Sequence, residues 1–303
     1  MSQLFPLFLN NLLPILLVAA AGFLLSKFTA LDPSSLSKII FYILGPCLVF
    51  TLLTQNQLSD GDFLRVTIFS AISILFIGLL AWIIGKSIGL GKSMLASFLI
   101  TCMFMNSGNY GLSVVLFAFG NTSLKYASLF FVVSAVLAYS LGVIIASLGS
   151  TSFKKAILNL LKIPMVYALV LAIFYNRTTW EIPVPIYRSI EILSQASIPT
   201  MIILLGLQLR TAQWKQYSKP LILASMIRLI IAPLVTFLIS PLFGILSFAR
   251  QAVVIQSAMP SAVLTTVLAT EYDTEPSFVT SVVFVTTILS PLTLTPLLAI
   301  MGA

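Results

Sequence analysis

Apolar residues run along nearly the whole chain in stretches of about 20, separated by short polar clusters. That is the length a helix needs to cross a bilayer, and nothing in the pattern alternates with the period of a strand. Ten stretches qualify: 7–25, 36–53, 63–84, 93–119, 124–148, 157–175, 190–209, 220–243, 249–271 and 277–301. The first has polar Asn10 and Asn11 near its start and no basic residues before it, so it is expected to remain as a span rather than be cleaved as a signal peptide. The connections are short. The longest polar one, 176–188, contains Pro183 and Pro185 and reads as a linker.

Composition agrees with the pattern. The chain is 59% hydrophobic and 8% charged, with a mean hydropathy of +1.10. A soluble surface needs roughly three times that charge. The net charge of +8 is scattered between apolar stretches, so it reads as a topology signal and not as a nucleic-acid interface. With both termini outside, ten cations fall in cytoplasmic loops (Lys27, Lys38, Lys86, Lys92, Lys154, Lys155, Lys162, Arg210, Lys215 and Lys219). Five face out, namely Arg65, Lys125, Arg177, Arg188 and Arg250. This bias predicts a multi-pass protein of the plasma (inner) membrane with the N- and C-termini outside. Trp82, Trp180 and Trp214 fit interfacial anchoring. The sixteenth cation, Arg228, falls inside the eighth span.

The ten spans divide into five and five, over 1–150 and 151–303. A shift of 152 positions pairs Leu112 with Leu264, Val115 with Val267 and Thr122 with Thr274, while Pro14 answers Pro164 and Pro46 answers Pro199 at similar offsets. An odd number of spans per repeat inserts the second copy upside down. The shift also lays Asn106-Ser107-Gly108-Asn109 on Ala258-Met259-Pro260-Ser261, both in mid-span. Asn, Ser and Gly are poor helix formers, and Pro260 removes a helical hydrogen bond. Alone, Pro260 reads as a kink and Gly108 or Gly111 as a packing residue. Paired interruptions in two halves are instead the sequence mark of a transport site.

These residues resemble the auxin efflux carrier family, which includes plant auxin carriers and bacterial malate or malonate permeases. The resemblance covers essentially the whole chain. It rests on Phe41-Tyr42-Ile43-Leu44-Gly45-Pro46, Ile198-Pro199, Leu205-Gly206-Leu207-Gln208-Leu209, Asn106 with Gly111-Leu112, and Met259-Pro260 with Ala269-Thr270-Glu271-Tyr272. Ser113 stands where many members carry proline. The resemblance implies an all-α integral membrane fold of ten helices in two inverted repeats, with broken helices 4 and 9 crossing. It further implies a scaffold of helices 1, 2, 6 and 7, usually dimeric, and an elevator-like unit of helices 3–5 and 8–10. Pro46 and Pro199 would face the substrate path from the scaffold side.

The chemistry the residues allow is narrow. Without histidine there is no imidazole base, His-bound zinc or Ser-His-Asp triad. Cys47 and Cys102 lie in apolar runs and form no CxxC, so no metal site or disulfide framework is indicated. A membrane enzyme would need convergent acids and bases, and a receptor an extramembrane domain for which the loops leave no room. Half-helices that begin in mid-membrane, by contrast, present unpaired N–H groups and about half a positive charge each, a site for a small organic anion. Candidate substrate-binding residues are Asn106, Ser107, Gly108, Asn109, Tyr110, Gly111, Gln256, Met259, Pro260, Ser261 and Arg228. Arg228 reads equally as a ligand or as a residue that snorkels or caps freed carbonyls. The acidic residues sit in loops or near span ends, so no conventional proton relay is expected and no cofactor is called for. Sodium-coupled symport of the bile-acid type is the alternative, with sodium held by backbone carbonyls and Asn or Ser oxygens.

Overall fold

A computed structural model describes residues 4–29, 31–55, 58–147, 164–178, 181–209 and 218–303. Among them, every regular element is helical, and the single pairing of extended residues is an isolated antiparallel bridge between Met105 and Ser261. The helices are α1 (Phe5–Phe28), α2 (Pro33–Gln55), α3 (Asp60–Ser87), α4 (Lys92–Met103), α5 (Ser107–Ala146) and α6 (Pro164–Arg177). They continue with α7 (Val184–Leu209), α8 (Lys219–Phe243), α9 (Ser247–Ser257), α10 (Val263–Glu271) and α11 (Pro276–Met301).

Seven of these, α1, α2, α3, α5, α7, α8 and α11, are long and apolar enough to cross a membrane. The protein is therefore a multi-span helical membrane protein. The difference from ten expected spans has physical causes. Stretches 93–119 and 249–271 are each cut into two helices, α4 with the start of α5, and α9 with α10, so none of the cut pieces α4, α9 and α10 passes as one long apolar helix. Helix α5 runs 40 residues, about 60 Å and twice a bilayer core, but Gly120 at φ 71°, ψ −168° divides it into two arms. Part of the sixth stretch, 157–163, lies outside the described residues. So do Lys154, Lys155, Lys162, Arg210, Lys215, Trp180 and Trp214. Trp82 is exposed on α3.

Prolines shape three of the long helices. Pro14, Pro46 and Pro233 have no N–H, and their rings crowd the carbonyl four residues back. The π turns Phe8–Leu12, Ile40–Leu44 and Ile227–Ile231 each end two residues before one of them. Leu13, Gly45 and Ala232 accordingly donate five residues back, to Phe8, Ile40 and Ile227. A fourth π turn, Ser107–Leu112, precedes Ser113, whose hydroxyl donates to the Asn109 carbonyl at 3.3 Å.

Packing sorts the helices into two sets. Helices α1 and α7 lie so close that a Cβ on Gly22 would strike the Ile203 backbone, and one on Gly206 the Ala19 backbone. Helix α2 packs between α6 and α7, and the Ser197 hydroxyl donates to the Leu44 carbonyl at 2.7 Å. The other set joins α3 to α4 and α5, α9 to α5, α10 to α11, and α8 to α4, α9 and α11. The two sets meet where residues 107–112 of α5 rest on α7, where the start of α1 touches α11 and α5, and where α2 touches α5.

Candidate functional site

The two helix interruptions meet each other. The Asn106 N–H donates to the Pro260 carbonyl at 2.7 Å, and the Ala262 N–H to the Phe104 carbonyl at 2.9 Å. Two short extended segments thus satisfy in pairs the backbone groups that broken helices would leave bare. Ser261 ties the crossing to its surroundings, its hydroxyl donating to the Thr101 carbonyl and its N–H to Thr286 Oγ1 at 3.1 Å. The breaks are 104–106 and 258–262. The sequence had placed the first at 106–109, but Ser107, Gly108 and Asn109 already belong to the opening turn of α5. The bridge equates Met105 with Ser261, an offset of 156, and α5 and α10 begin at Ser107 and Val263 with the same offset. The 152-residue shift therefore runs one helical turn short at this point. A one-turn slip keeps the same helix face, which is why apolar matches such as Leu112 with Leu264 did not expose it.

Four helix ends converge here. Helices α5 and α10 start at the crossing. In α5 the first helical bond runs from Gly111 N–H to the Asn106 carbonyl, 2.9 Å, leaving the N–H groups of Gly108, Asn109 and Tyr110 ahead of it. A cavity of about 540 Å³ adjoins these N-termini. Asn106, Ser107, Gly108 and Asn109 line it from one half and Ala262, Val263 and Leu264 from the other. Phe41, Tyr42, Phe104, Phe131 and Tyr139 supply aromatic walls, and the cavity reaches the N-terminal end of α2 at Ser34 and Lys38. Asn106 is 5% exposed, and its side-chain amide nitrogen has no hydrogen-bond partner. A buried donor left unpaired costs about 1–3 kcal/mol.

Helices α4 and α9 end at the same crossing, on its other side. Arg228 is fully buried there. Its Nη1 donates to the Cys102 carbonyl, Nη2 to the Ser257 carbonyl, and Nε to the Met259 carbonyl at 3.2 Å. The π turn of α8 carries it, and no carboxylate accompanies it. Among the described residues the one ion pair is the exposed Arg177–Asp60 contact at 2.6 Å.

The sequence candidates thus separate. Asn106 to Asn109 line the cavity. Tyr110 is buried facing α11, its hydroxyl 3.5 Å from Ser290 Oγ, so it is no cavity wall. Gly111 packs against Gln256, whose amide nitrogen donates to the Ala127 carbonyl at 3.3 Å. Met259, Pro260 and Ser261 form the strand-like crossing itself. Arg228 lies behind it as a cap on carbonyls. Pro46 and Pro199 are near the α2–α7 contact but outside the cavity lining. What sequence reasoning missed is Lys38, counted only as a topology signal, and the walls Phe131, Tyr139, Met165, Met201 and Leu204. Phe41 and Tyr42 were visible only as part of a motif. No sequence signal singles out the others, since each looks like any apolar residue of a span.

Comparison with known proteins gives one direction. The sequence profile of a family described as membrane transport protein matches residues 7–298. An uncharacterized transporter of Methanocaldococcus jannaschii is 29% identical over 262 residues, covering 84% of this chain and 85% of its own. An uncharacterized transporter of Methanothermobacter thermautotrophicus is 28% identical over 290 residues, covering 93% and 94%.

Proposed function

Since this chain belongs to the auxin efflux carrier family of membrane transport proteins, a family of transporters and not of enzymes, we propose that it carries a small organic weak-acid anion bound at the helix crossing. The observation that carries this reading is the buried, unpartnered amide nitrogen of Asn106, set where two helix N-termini adjoin a cavity. The two ends contribute about half a positive charge each. Together they match one carboxylate without a fixed cation. The aromatic walls suit an apolar body on that carboxylate. A volume of about 540 Å³ lies within the range of small-molecule pockets.

The fold we infer is ten transmembrane helices in two inverted five-helix repeats, 1–150 and 151–303. Helices α1, α2, α6 and α7 form its scaffold and the rest its moving unit. The two packing sets and the paired breaks support this division, with elevator-like alternating access as the movement. With the termini outside, the end of α2 holding Lys38 faces the cytoplasm of a plasma (inner) membrane, so this conformation is inward-open. Tyr167, Val170, Leu171 and Phe174 form one exposed apolar face of α6, suited to a homodimer contact on the scaffold or to the lipid bilayer. Pro46 and Pro199 stay on the scaffold side of the path.

A cell interior at −100 mV favours export of a monovalent anion by about 2.3 kcal/mol, roughly a fiftyfold gradient, so efflux needs no coupling ion. In proteoliposomes, a set membrane potential should drive flux of a labelled weak acid at equal rates in sodium and in choline. Flux that appears only with sodium overturns the potential-driven reading in favour of bile-acid-type symport. Absence of flux or binding for weak organic acids overturns the substrate class.

A further inference from the structure

The side of the crossing away from the cavity holds a fully buried guanidinium with no anionic side chain beside it. Helices α4 and α9 both end at this point, and a helix C-terminus carries about half a negative charge. The two together amount to roughly one. They also turn at least three carbonyl oxygens, of Cys102, Ser257 and Met259, toward one centre. Inward-facing carbonyls drawn from two broken helices are the donor set that holds a bare monovalent cation in a membrane protein. Arginine meets the same need with a permanent charge and five N–H donors that fit separate carbonyls.

We propose that Arg228 is a resident counter-cation, its guanidinium filling a monovalent-cation position between the C-terminal ends of α4 and α9, so that the crossing holds together without a bound sodium ion. Arg228 is therefore a positioning residue and touches no substrate. Because α4, α8 and α9 belong to one packing set, the charge travels with the helix ends it balances. The proposal deepens the potential-driven reading above, but its binding test does not depend on transport.

Thermal unfolding of the purified protein tests it. The wild-type midpoint should be the same in sodium chloride and in an equal concentration of choline chloride. Arg228→Met keeps the bulk and deletes the charge. It should lower the midpoint by on the order of 10 °C. Added sodium or dilute guanidinium should restore a large part of that loss, while choline should not. Arg228→Lys, with one charge and three donors, should stay close to wild type. Three results overturn the proposal: an Arg228→Met midpoint equal to wild type, a loss that neither cation relieves, or sodium stabilisation of the wild type itself. If Arg228→Met yields no folded protein, Arg228→Lys decides, and its failure to fold also overturns the proposal. Cation-responsive stability in a protein that moves no weak acid would sink the substrate reading alone.

Discussion

The two sides of the helix crossing are built from the same parts and finished in opposite ways. On one, two helix C-termini meet and a buried arginine answers their carbonyls, leaving a closed, charge-balanced seam. On the other, two N-termini meet beside a cavity, and the side-chain amide nitrogen of Asn106 has no hydrogen-bond partner. The contrast teaches where to look for a ligand in a broken-helix membrane protein. Both ends of a helix dipole need compensation in a low dielectric, but only the end that the chain leaves uncompensated is free to bind and release. The positive charge visible in the sequence belongs to the structural side. On the cavity side the groups at the crossing itself are neutral, and Lys38 stands only at the rim.

Reversing the sign at Asn106 should break that contrast most severely. Asn106→Asp places a carboxylate where the substrate carboxylate is inferred to sit. Like-charge juxtaposition costs several kcal/mol. Weak-acid flux should fall by about 100-fold or more, while thermal stability should hold, because the new anion faces the same two N-termini. Asn106→Ala is the milder form. Losing one hydrogen bond to a charged group costs roughly 1.5–3 kcal/mol, about 10- to 100-fold in apparent affinity. Its unfolding midpoint should not drop, since the amide nitrogen has no partner to lose. A normal substrate affinity in Asn106→Ala would remove the cavity from the binding pathway.

How much of this was legible follows from the same residues. The apolar rhythm showed that the protein lives in a bilayer, and Asn-Ser-Gly-Asn against Met-Pro-Ser marked two helices as broken. Both hold in the structure. The second break, expected at 258–261, lies at 258–262, whereas the first, expected at 106–109, lies at 104–106. Ser and Gly are poor mid-helix residues but favourable at a helix start, and propensity alone does not say on which side of a gap they fall. Arg228 was visible as an oddity, but its role depends on carbonyls 29 to 126 positions away along the chain. Backbone carbonyls carry no sequence signal. Lys38 was read only for its charge count, because nothing local says that α2 begins beside the cavity.

Two glycines one turn apart sharpen the comparison at intermediate strength. A Cβ on Gly108 would stand 2.7 Å from Phe131 Cε2, on the cavity wall. One on Gly111 would strike the Gln256 side chain in the sealed packing behind it. Overpacking costs about 1–3 kcal/mol in either place, but the measured loss should differ. Gly108→Ala is expected to push the ring into the cavity and raise the half-saturating concentration about tenfold, more for bulky acids than for acetate-sized ones. Gly111→Ala should lower the unfolding midpoint and leave the affinity of the folded fraction nearly unchanged. Equal effects of both on affinity would mean that the cavity and the seam are not separate.

The smallest effect belongs to Lys38, at the rim. Its ammonium is exposed and screened, so it contributes little to holding a monocarboxylate at the crossing. A dicarboxylate could reach it with its second group. Lys38→Gln should therefore leave monocarboxylate flux within about twofold and weaken a dicarboxylate a few-fold at low ionic strength, with the difference vanishing in high salt. Asp32, six residues earlier, competes for the same charge. Its carboxyl is held below the usual carboxylate range first by the Ser34 N–H, with Ser35 and Lys38 adding to it. A depressed carboxylate gives its capping support above about pH 4 and loses it only as pH falls through the lowered value. Asp32 therefore stays ionised from pH 5 to 8, and any pH dependence of the dicarboxylate preference in that window should follow the ionisation of the substrate's second carboxyl group and not Asp32.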